Sequence, residues 1–332
     1  MRLVDIPSPT PASDEALIRI ESTGVCGSDM HYYVDGRIGK TVMTQPLILG
    51  HEYAGIVEAV GREADASLLG KRVAVEPGIP CRRCEYCLKG HYNVCPSLQF
   101  PGGPPNDGAL CEYIAVHAAF CFPVPNVISP AEAALIEPLA VALHTIELAN
   151  VKPGDIVAIL GLGPIGLLTA QVAKVAGAES VIGTDLLPYR VDASTRYGVD
   201  TPLDVSNTDT VAAIMEMTKG RGVDIAIDCA RSSTTPDLAC RVARPAGRCV
   251  LTGISGEEYG QFPVDITRRK ELTVTWCRRF RFNFPTAINL VAAGRVDVKS
   301  LVTHSYPLEQ AREAFELVSH AADNVLKASV DQ

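Results

Sequence analysis

Apolar and polar side chains alternate through Ala16-Leu-Ile-Arg-Ile-Glu21, the period-two pattern of a half-buried strand. The runs Ala54-Gly-Ile-Val-Glu-Ala-Val60 and Arg72-Val-Ala-Val75, flanked by glycine and proline, predict two more strands, and short strands, turns and loops continue to about Phe122. Beyond Glu137 the pattern changes. A helix is expected over Pro138 to Asn150, and then apolar runs alternate with helical segments: Ile156 to Leu160, Val181 to Thr184, Thr201 to Val205, Val223 to Asp228, Arg248 to Thr252 and Leu272 to Trp276. Strands interleaved with helices in this way predict a doubly wound parallel sheet. After Trp276 the chain is expected to return to the first domain through helical pieces at Phe284 to Ala293 and Pro307 to Val318 and a last strand, Val325 to Val330. The expected plan is α/β, with a β-rich domain over 1–138, a doubly wound domain over 139–276, and 277–332 completing the first.

One stretch gives the second domain a chemical purpose. The run Ile156 to Leu160 ends in Gly161-Leu162-Gly163-Pro164-Ile165-Gly166 and continues into Leu167 to Ala176, whose apolar content suits a buried helix. A pyrophosphate must approach backbone N–H groups at the positive end of such a helix, where any side chain would stand in the way. Gly161 permits the turn, Gly163 the approach, and Gly166 the close packing of helix on strand. A second apolar run, Ser180 to Thr184, ends in Asp185, nineteen residues past Gly166, where a carboxylate accepts hydrogen bonds from the adenosine ribose. The same charge repels a 2′-phosphate and favours NAD over NADP, and Arg190 is near enough in sequence to soften that preference.

Composition narrows the class without naming it. The 332 residues are 47% hydrophobic and 20% charged, an ordinary globular balance with length for two cores. A net charge of −8 argues against a nucleic-acid partner, although Arg278, Arg279 and Arg281 form a local basic patch. No apolar run approaches the length of a membrane span, and Met1-Arg-Leu-Val-Asp-Ile-Pro lacks a signal-peptide core, so no membrane partner and a cytoplasmic location are expected. In that reducing compartment eleven cysteines read as metal ligands or small apolar residues before disulfides.

Four of them stand close together. Cys81-Arg-Arg-Cys84-Glu-Tyr-Cys87, followed by Cys95, marks a lobe of about residues 77–96 with no apolar sequence for a core of its own. Thiolates so close repel unless a cation neutralises them, and four sulfurs suit a closed, structural Zn²⁺ site; an iron–sulfur cluster or free thiols would use the same residues. A second set is dispersed: Cys26, then His51-Glu52, then Glu137. Singly, each has an ordinary structural reading. Together they offer thiolate, imidazole and carboxylate to a catalytic zinc that takes three protein ligands and keeps a fourth place open. Their spacing does not decide whether they converge. Cys111, Cys121, Cys229, Cys240, Cys249 and Cys277 are expected to be buried apolar residues, and His91, His117, His144, His304 and His320 to be structural.

At these residues the chain resembles the zinc-dependent medium-chain dehydrogenase/reductase family, and within it the sorbitol (polyol) dehydrogenases. The resemblance covers nearly the whole chain and is carried by Gly24-Val-Cys-Gly-Ser-Asp-Met-His-Tyr32, Gly36-Arg-Ile-Gly39, Leu49-Gly-His-Glu52, the four-cysteine lobe, Asp107-Gly-Ala-Leu-Cys111, Ala119-Phe-Cys121, Ile136-Glu-Pro-Leu-Ala140, Gly161 to Gly166 and Leu301-Val-Thr-His304. It implies a GroES-like β-rich catalytic domain joined to a Rossmann NAD-binding domain, with one catalytic and one structural zinc per chain. It makes Cys26, His51 and Glu52 the catalytic zinc ligands, with Glu137 beside the metal holding its water. Ser28 and His31 would pass the alcohol proton outward, Arg279 would reach substrate hydroxyls, and Tyr32 and Phe100 would line the pocket. Gly161, Leu162, Gly163, Pro164, Ile165, Gly166, Asp185 and Arg190 would bind NAD.

The expected reaction is hydride transfer from a secondary hydroxyl of a small-molecule polyol, sorbitol-like or xylitol-like, to NAD, giving a ketose. A dehydrogenase of L-threonine or of a sugar acid, and a catalytically silent NAD-binding protein, are the rivals. The resemblance also implies a homo-oligomer, a dimer or a tetramer. Relatives of this kind begin with a further strand and turn roughly fifteen residues upstream of the point matching Met1, so either the start is trimmed, leaving a sheet edge of the first domain without its usual partner, or the fold compensates.

Overall fold

The computed structural model describes residues 1–260 and 262–332. The chain opens with β1 (Glu15–Gly24), α1 (Gly27–Met30), β2 (Arg37–Ile38), β3 (Thr41–Val42), β4 (Glu52–Val60) and β5 (Arg72–Val75). The short α2 (Glu85–Leu88) precedes β6 (Tyr113–His117), β7 (Cys121–Pro123), α3 (Pro130–Ala134) and α4 (Ile136–Ala149). Strands and helices then alternate: β8 (Ile156–Leu160), α5 (Pro164–Val175), β9 (Ser180–Asp185), α6 (Pro188–Ser194), β10 (Thr201–Asp204), α7 (Thr210–Met217), β11 (Val223–Asp228), α8 (Thr235–Val242), β12 (Ala243–Leu251), α9 (Val264–Arg269) and β13 (Thr273–Trp276). The last stretch adds α10 (Phe284–Ala292), β14 (Val302–Pro307), α11 (Ala311–Ser319) and β15 (Lys327–Asp331).

These elements form two compact units, residues 1–138 with 281–332, and residues 139–280. In the first, a seven-stranded sheet runs β14-β15-β1-β4-β5-β7, with β6 also on β1. The alternation read in Ala16 to Glu21 is realised: Ala16, Ile18 and Ile20 are buried, packing with Tyr53, Val57, Val73 and Val75. β1 has partners on both edges, β4 along one and β6 and β15 along the other. Residues 1–12 contribute no strand, and Leu3, Val4 and Ile6 are exposed.

The second unit is a parallel six-stranded sheet ordered β10-β9-β8-β11-β12-β13, the doubly wound arrangement expected. β11 is buried along its whole length, as a central parallel strand covered on both faces must be. β12 begins at Ala243, earlier than the apolar run at Arg248 suggested, because Ala243 already pairs with Val223 on the neighbouring strand. α4 begins at Ile136 instead of Pro138, since proline is tolerated in a first helical turn whose N–H groups have no internal acceptor. β14 was not expected as a strand and pairs in parallel with β15. Among the described residues no helix is long and apolar enough to cross a membrane.

Candidate active site

The turns leaving β1 and entering β4 meet, because Gly24 at the end of β1 pairs with Glu52 at the start of β4. Cys26 follows just past β1 and precedes α1, with its backbone N–H donated to Asp29 Oδ2 at 3.1 Å. One donor atom each of Cys26, His51 and Glu52 lies within 4.8 Å of the others, so the convergence that spacing left open is realised. His51 is 4% exposed and Glu52 1%. A thiolate and a carboxylate brought together beside an imidazole, the carboxylate and imidazole buried and the cysteine partly so, repel or lose solvation unless a cation offsets them, and this mixed sulfur, nitrogen and oxygen set suits zinc with one position left open.

Around the trio the polar contacts are specific. Ser28 Oγ donates to Cys26 Sγ at 3.3 Å and lies 3.2 Å from His51 Nε2. Asp29, almost fully buried, brings Oδ1 to 3.2 Å from His51 Nδ1 and accepts the Gly50 N–H at 3.4 Å. A proton on Nδ1, beside that carboxylate, would leave Nε2, on the Ser28 side of the ring, as the nitrogen available to a metal. Asp29 was not singled out from sequence, although its place three residues after Cys26 on one short helix was the available signal. Burial pushes the Cys26 thiol up, reinforced by the Glu52 charge. For His51 burial favours the neutral ring, but the Asp29 and Cys26 charges outweigh it and hold the imidazole well above its usual value.

A second group missed from sequence is Lys327, whose Nζ lies 2.5 Å from Glu52 Oε2. It is 3% exposed. Burial alone would drive this ammonium toward neutrality, but Glu52, Cys26 and Glu137 together raise its pKa above the ordinary lysine value. Glu137 stands in the first turn of α4, buried, outside the close trio but near enough for its charge to act on Lys327. The Phe100 ring packs 5.1 Å from the His51 ring. Tyr32 Oη and Phe100 Cδ1 both border the space a side chain at Gly103 would enter, which places Tyr32 in the same neighbourhood. His31 Nδ1 lies 3.2 Å from Asp35 Oδ2. Arg279 belongs to the second unit, in a left-handed backbone conformation with its carbonyl 3.5 Å from Cys277 Sγ.

The four-cysteine lobe also closes on itself. Cys84 Sγ is 3.4 Å from Cys87 Sγ and 3.9 Å from Cys95 Sγ, and Cys81 and Cys87 are 4.0 Å apart. A tetrahedron with ~2.3 Å zinc–sulfur bonds has edges of roughly 3.8 Å, so the four sulfurs fit that ion. They are far too widely spaced for disulfides. Backbone N–H groups of Arg83 and Cys84 draw the Cys81 thiol down to about 6, whereas burial and the neighbouring sulfurs push Cys87 up to about 12. Of the remaining cysteines, Cys121, Cys240 and Cys249 are buried as expected, but Cys111, Cys229 and Cys277 are only partly so. Each of those three sulfurs faces an oxygen, of Tyr113, Thr169 and Arg279 respectively, because a thiol is also a weak donor.

In the second unit the glycine turn has the geometry read from its sequence. Gly161 has φ +101°, and a side chain on Gly166 would place its Cβ 1.9 Å from the Gly161 carbonyl oxygen. At Gly163 the nearest obstacle is Arg190 Nη1 at 3.6 Å, so the turn is open to a ligand there. Asp185 accepts the Leu162 N–H at 2.7 Å through Oδ2 and the Leu187 N–H at 2.9 Å through Oδ1. Its carboxylate therefore fixes the turn. Arg190 Nη1 is 3.7 Å from the same carboxylate.

The N-terminal part, residues 12–126, matches the alcohol dehydrogenase GroES-like domain, and residues 164–293 match the zinc-binding dehydrogenase domain. The chain belongs to the zinc-dependent medium-chain dehydrogenases, oxidoreductases that work with zinc and a nicotinamide cofactor. It is 38% identical to a sorbitol dehydrogenase of Bacillus subtilis (strain 168) over 99% of this chain and 94% of that one. It is 39% identical to D-xylulose reductase A of Aspergillus oryzae, covering 98% and 92%. A dehydrogenase structure from E. coli CFT073, complexed with NADH, aligns at 30% identity with a TM-score of 0.90, covering 98% of this chain and 94% of that one.

Proposed function

We propose that the protein oxidises a secondary hydroxyl of a neutral polyol to a ketone with NAD. The observation that carries this reading is the convergence of Cys26, His51 and Glu52, a donor set with a carboxylate where simple alcohol dehydrogenases commonly use a second thiolate. Similarity to sorbitol dehydrogenase and D-xylulose reductase over nearly the whole chain supports the substrate class. Bound by these three side chains, zinc would supply Lewis acidity that lowers the pKa of a coordinated hydroxyl, and NAD would supply the hydride acceptor.

The remaining work falls to this chain's residues. Asp29, beside His51 Nδ1, would favour the ligating tautomer of His51, and Ser28, in contact with both Cys26 and His51, would accept the alcohol proton and pass it outward with His31. Phe100 against His51, with Tyr32 nearby, gives the pocket an apolar wall that excludes water. Glu137 supplies a buried carboxylate for hydrogen bonding close to the metal. Arg279 is assigned to substrate hydroxyls, and Gly161 to Gly166 with Asp185 and Arg190 to the cofactor.

The deciding experiment is the initial rate of NADH formation by zinc-loaded protein across neutral polyols, with L-threonine and a sugar acid in the same panel. Turnover of one or two polyols, with the charged substrates at least roughly tenfold slower in kcat/KM, is expected. Faster turnover of threonine or the sugar acid would replace the polyol reading. Coenzyme choice is tested separately. Asp185→Ser is expected to lower the NAD over NADP preference in kcat/KM by at least about tenfold, since it removes both the ribose acceptor and the charge that repels a 2′-phosphate. An unchanged ratio would mean that Asp185 serves the turn alone.

A further inference from the structure

Glu52, Gly24 and Lys327 lie on three adjacent strands. Gly24 of β1 pairs with Glu52 of β4 on one side and with Ser329 of β15 on the other. Lys327, two residues before Ser329 and so on the same face of β15, reaches Glu52 across the intervening strand. Only a glycine leaves room for that crossing. A Cβ on residue 24 would stand 2.3 Å from Glu52 Oε2 and 3.2 Å from Lys327 Cε, although Gly24 has no left-handed backbone to account for its lack of a side chain. The fold thus builds a slot in which a buried ammonium grips one oxygen of a carboxylate whose partner groups are a thiol and an imidazole.

We infer that Lys327 is the internal counter-cation of the metal site: through the Gly24 slot it holds Glu52 in place when no metal is bound, and it yields part of that duty when zinc arrives. This rests on the assignment of zinc to Cys26, His51 and Glu52. A merely structural lysine would stabilise the loaded and the stripped protein alike. A counter-cation matters most in the stripped protein, where its loss leaves a buried carboxylate unpaired, whereas zinc supplies the missing positive charge in the loaded one.

The test compares thermal unfolding of wild type and Lys327→Met, each stripped with a chelator and each reloaded with zinc. The four-cysteine lobe is the same in both chains, so its share of the zinc effect cancels in the difference. The expected result is a zinc-induced rise in Tm larger in Lys327→Met than in wild type by on the order of 5 °C. Lys327→Arg, which keeps the charge, should restore most of the wild-type stability of the stripped form. Gly24→Ala, which keeps both charged groups but closes the slot, should behave as Lys327→Met does and is read in its place if that variant does not accumulate. Equal losses with and without zinc, or a larger loss in the loaded form, overturn the inference. Metal counting separates this from failure of the site itself: wild type that binds no zinc beyond the lobe's would refute the ligand assignment and the inference resting on it, whereas a second zinc with equal Tm losses would refute the role of Lys327 alone.

Discussion

Cys26→Ser is expected to lower kcat/KM for every alcohol by roughly three to four powers of ten, because it removes the thiolate proposed to anchor a Lewis acid that lowers the barrier by several kcal/mol. Serine keeps the volume and a hydrogen bond to Ser28 but stays a neutral, weak zinc donor near pH 7. The site would then rest on His51 and Glu52, and Glu52 already has Lys327 as a partner. Metal analysis should show zinc per chain falling by one, the lobe's ion being retained. NADH binding, followed by its fluorescence, should change less than about threefold, since the glycine turn and Asp185 belong to the other unit. A variant that kept both its zinc count and its turnover would remove Cys26 from the ligand set and the mechanism with it.

The contrast between the two units explains how much could be read without coordinates. The turn at Gly161 to Gly166, with Asp185 bonded to it, was legible because a glycine turn is local: each glycine answers a constraint set within a few residues, down to the Gly161 oxygen that would meet a Gly166 side chain. The buried strand β11 was legible for the same reason, its whole apolar run being one element. The trio was legible only as a list. That Cys26 meets His51 and Glu52 depends on the pairing of Gly24 with Glu52, a register that no property of either segment states alone. Lys327 lay further out of reach. Its partner is at the far end of the chain, its strand is short, and a single lysine near a C-terminus reads as surface until β15 is laid beside β1. Asp29 fell between the cases, inside a recognised motif, yet with a role that appears only when His51 is brought opposite it. The partly exposed Cys111, Cys229 and Cys277 show the limit of residue type as a guide to burial.

Cys84→Ser, in the four-cysteine lobe, should produce the opposite pattern to Cys26→Ser: a large loss of stability with a small change in chemistry. Residues 77–96 include the short α2, which buries none of its residues, so the lobe has little apolar packing to fall back on. Its shape depends on sulfurs spaced at 3.4 to 4.0 Å, and such spacing is sustained by a cation, whose binding energy becomes folding energy. Serine in place of Cys84 removes the sulfur that lies nearest to two others, so the cost should be comparable with losing a structural metal ligand, a Tm lower by on the order of 10 °C. At 25 °C, where the protein remains folded, kcat should stay within about threefold of wild type, because a fully coordinated site has no open position for substrate. Chelation should reproduce the Tm loss in wild type but add little in the variant's lobe. If Cys84→Ser instead melted with wild type and still carried the full complement of zinc, the lobe would owe its shape to packing and not to metal.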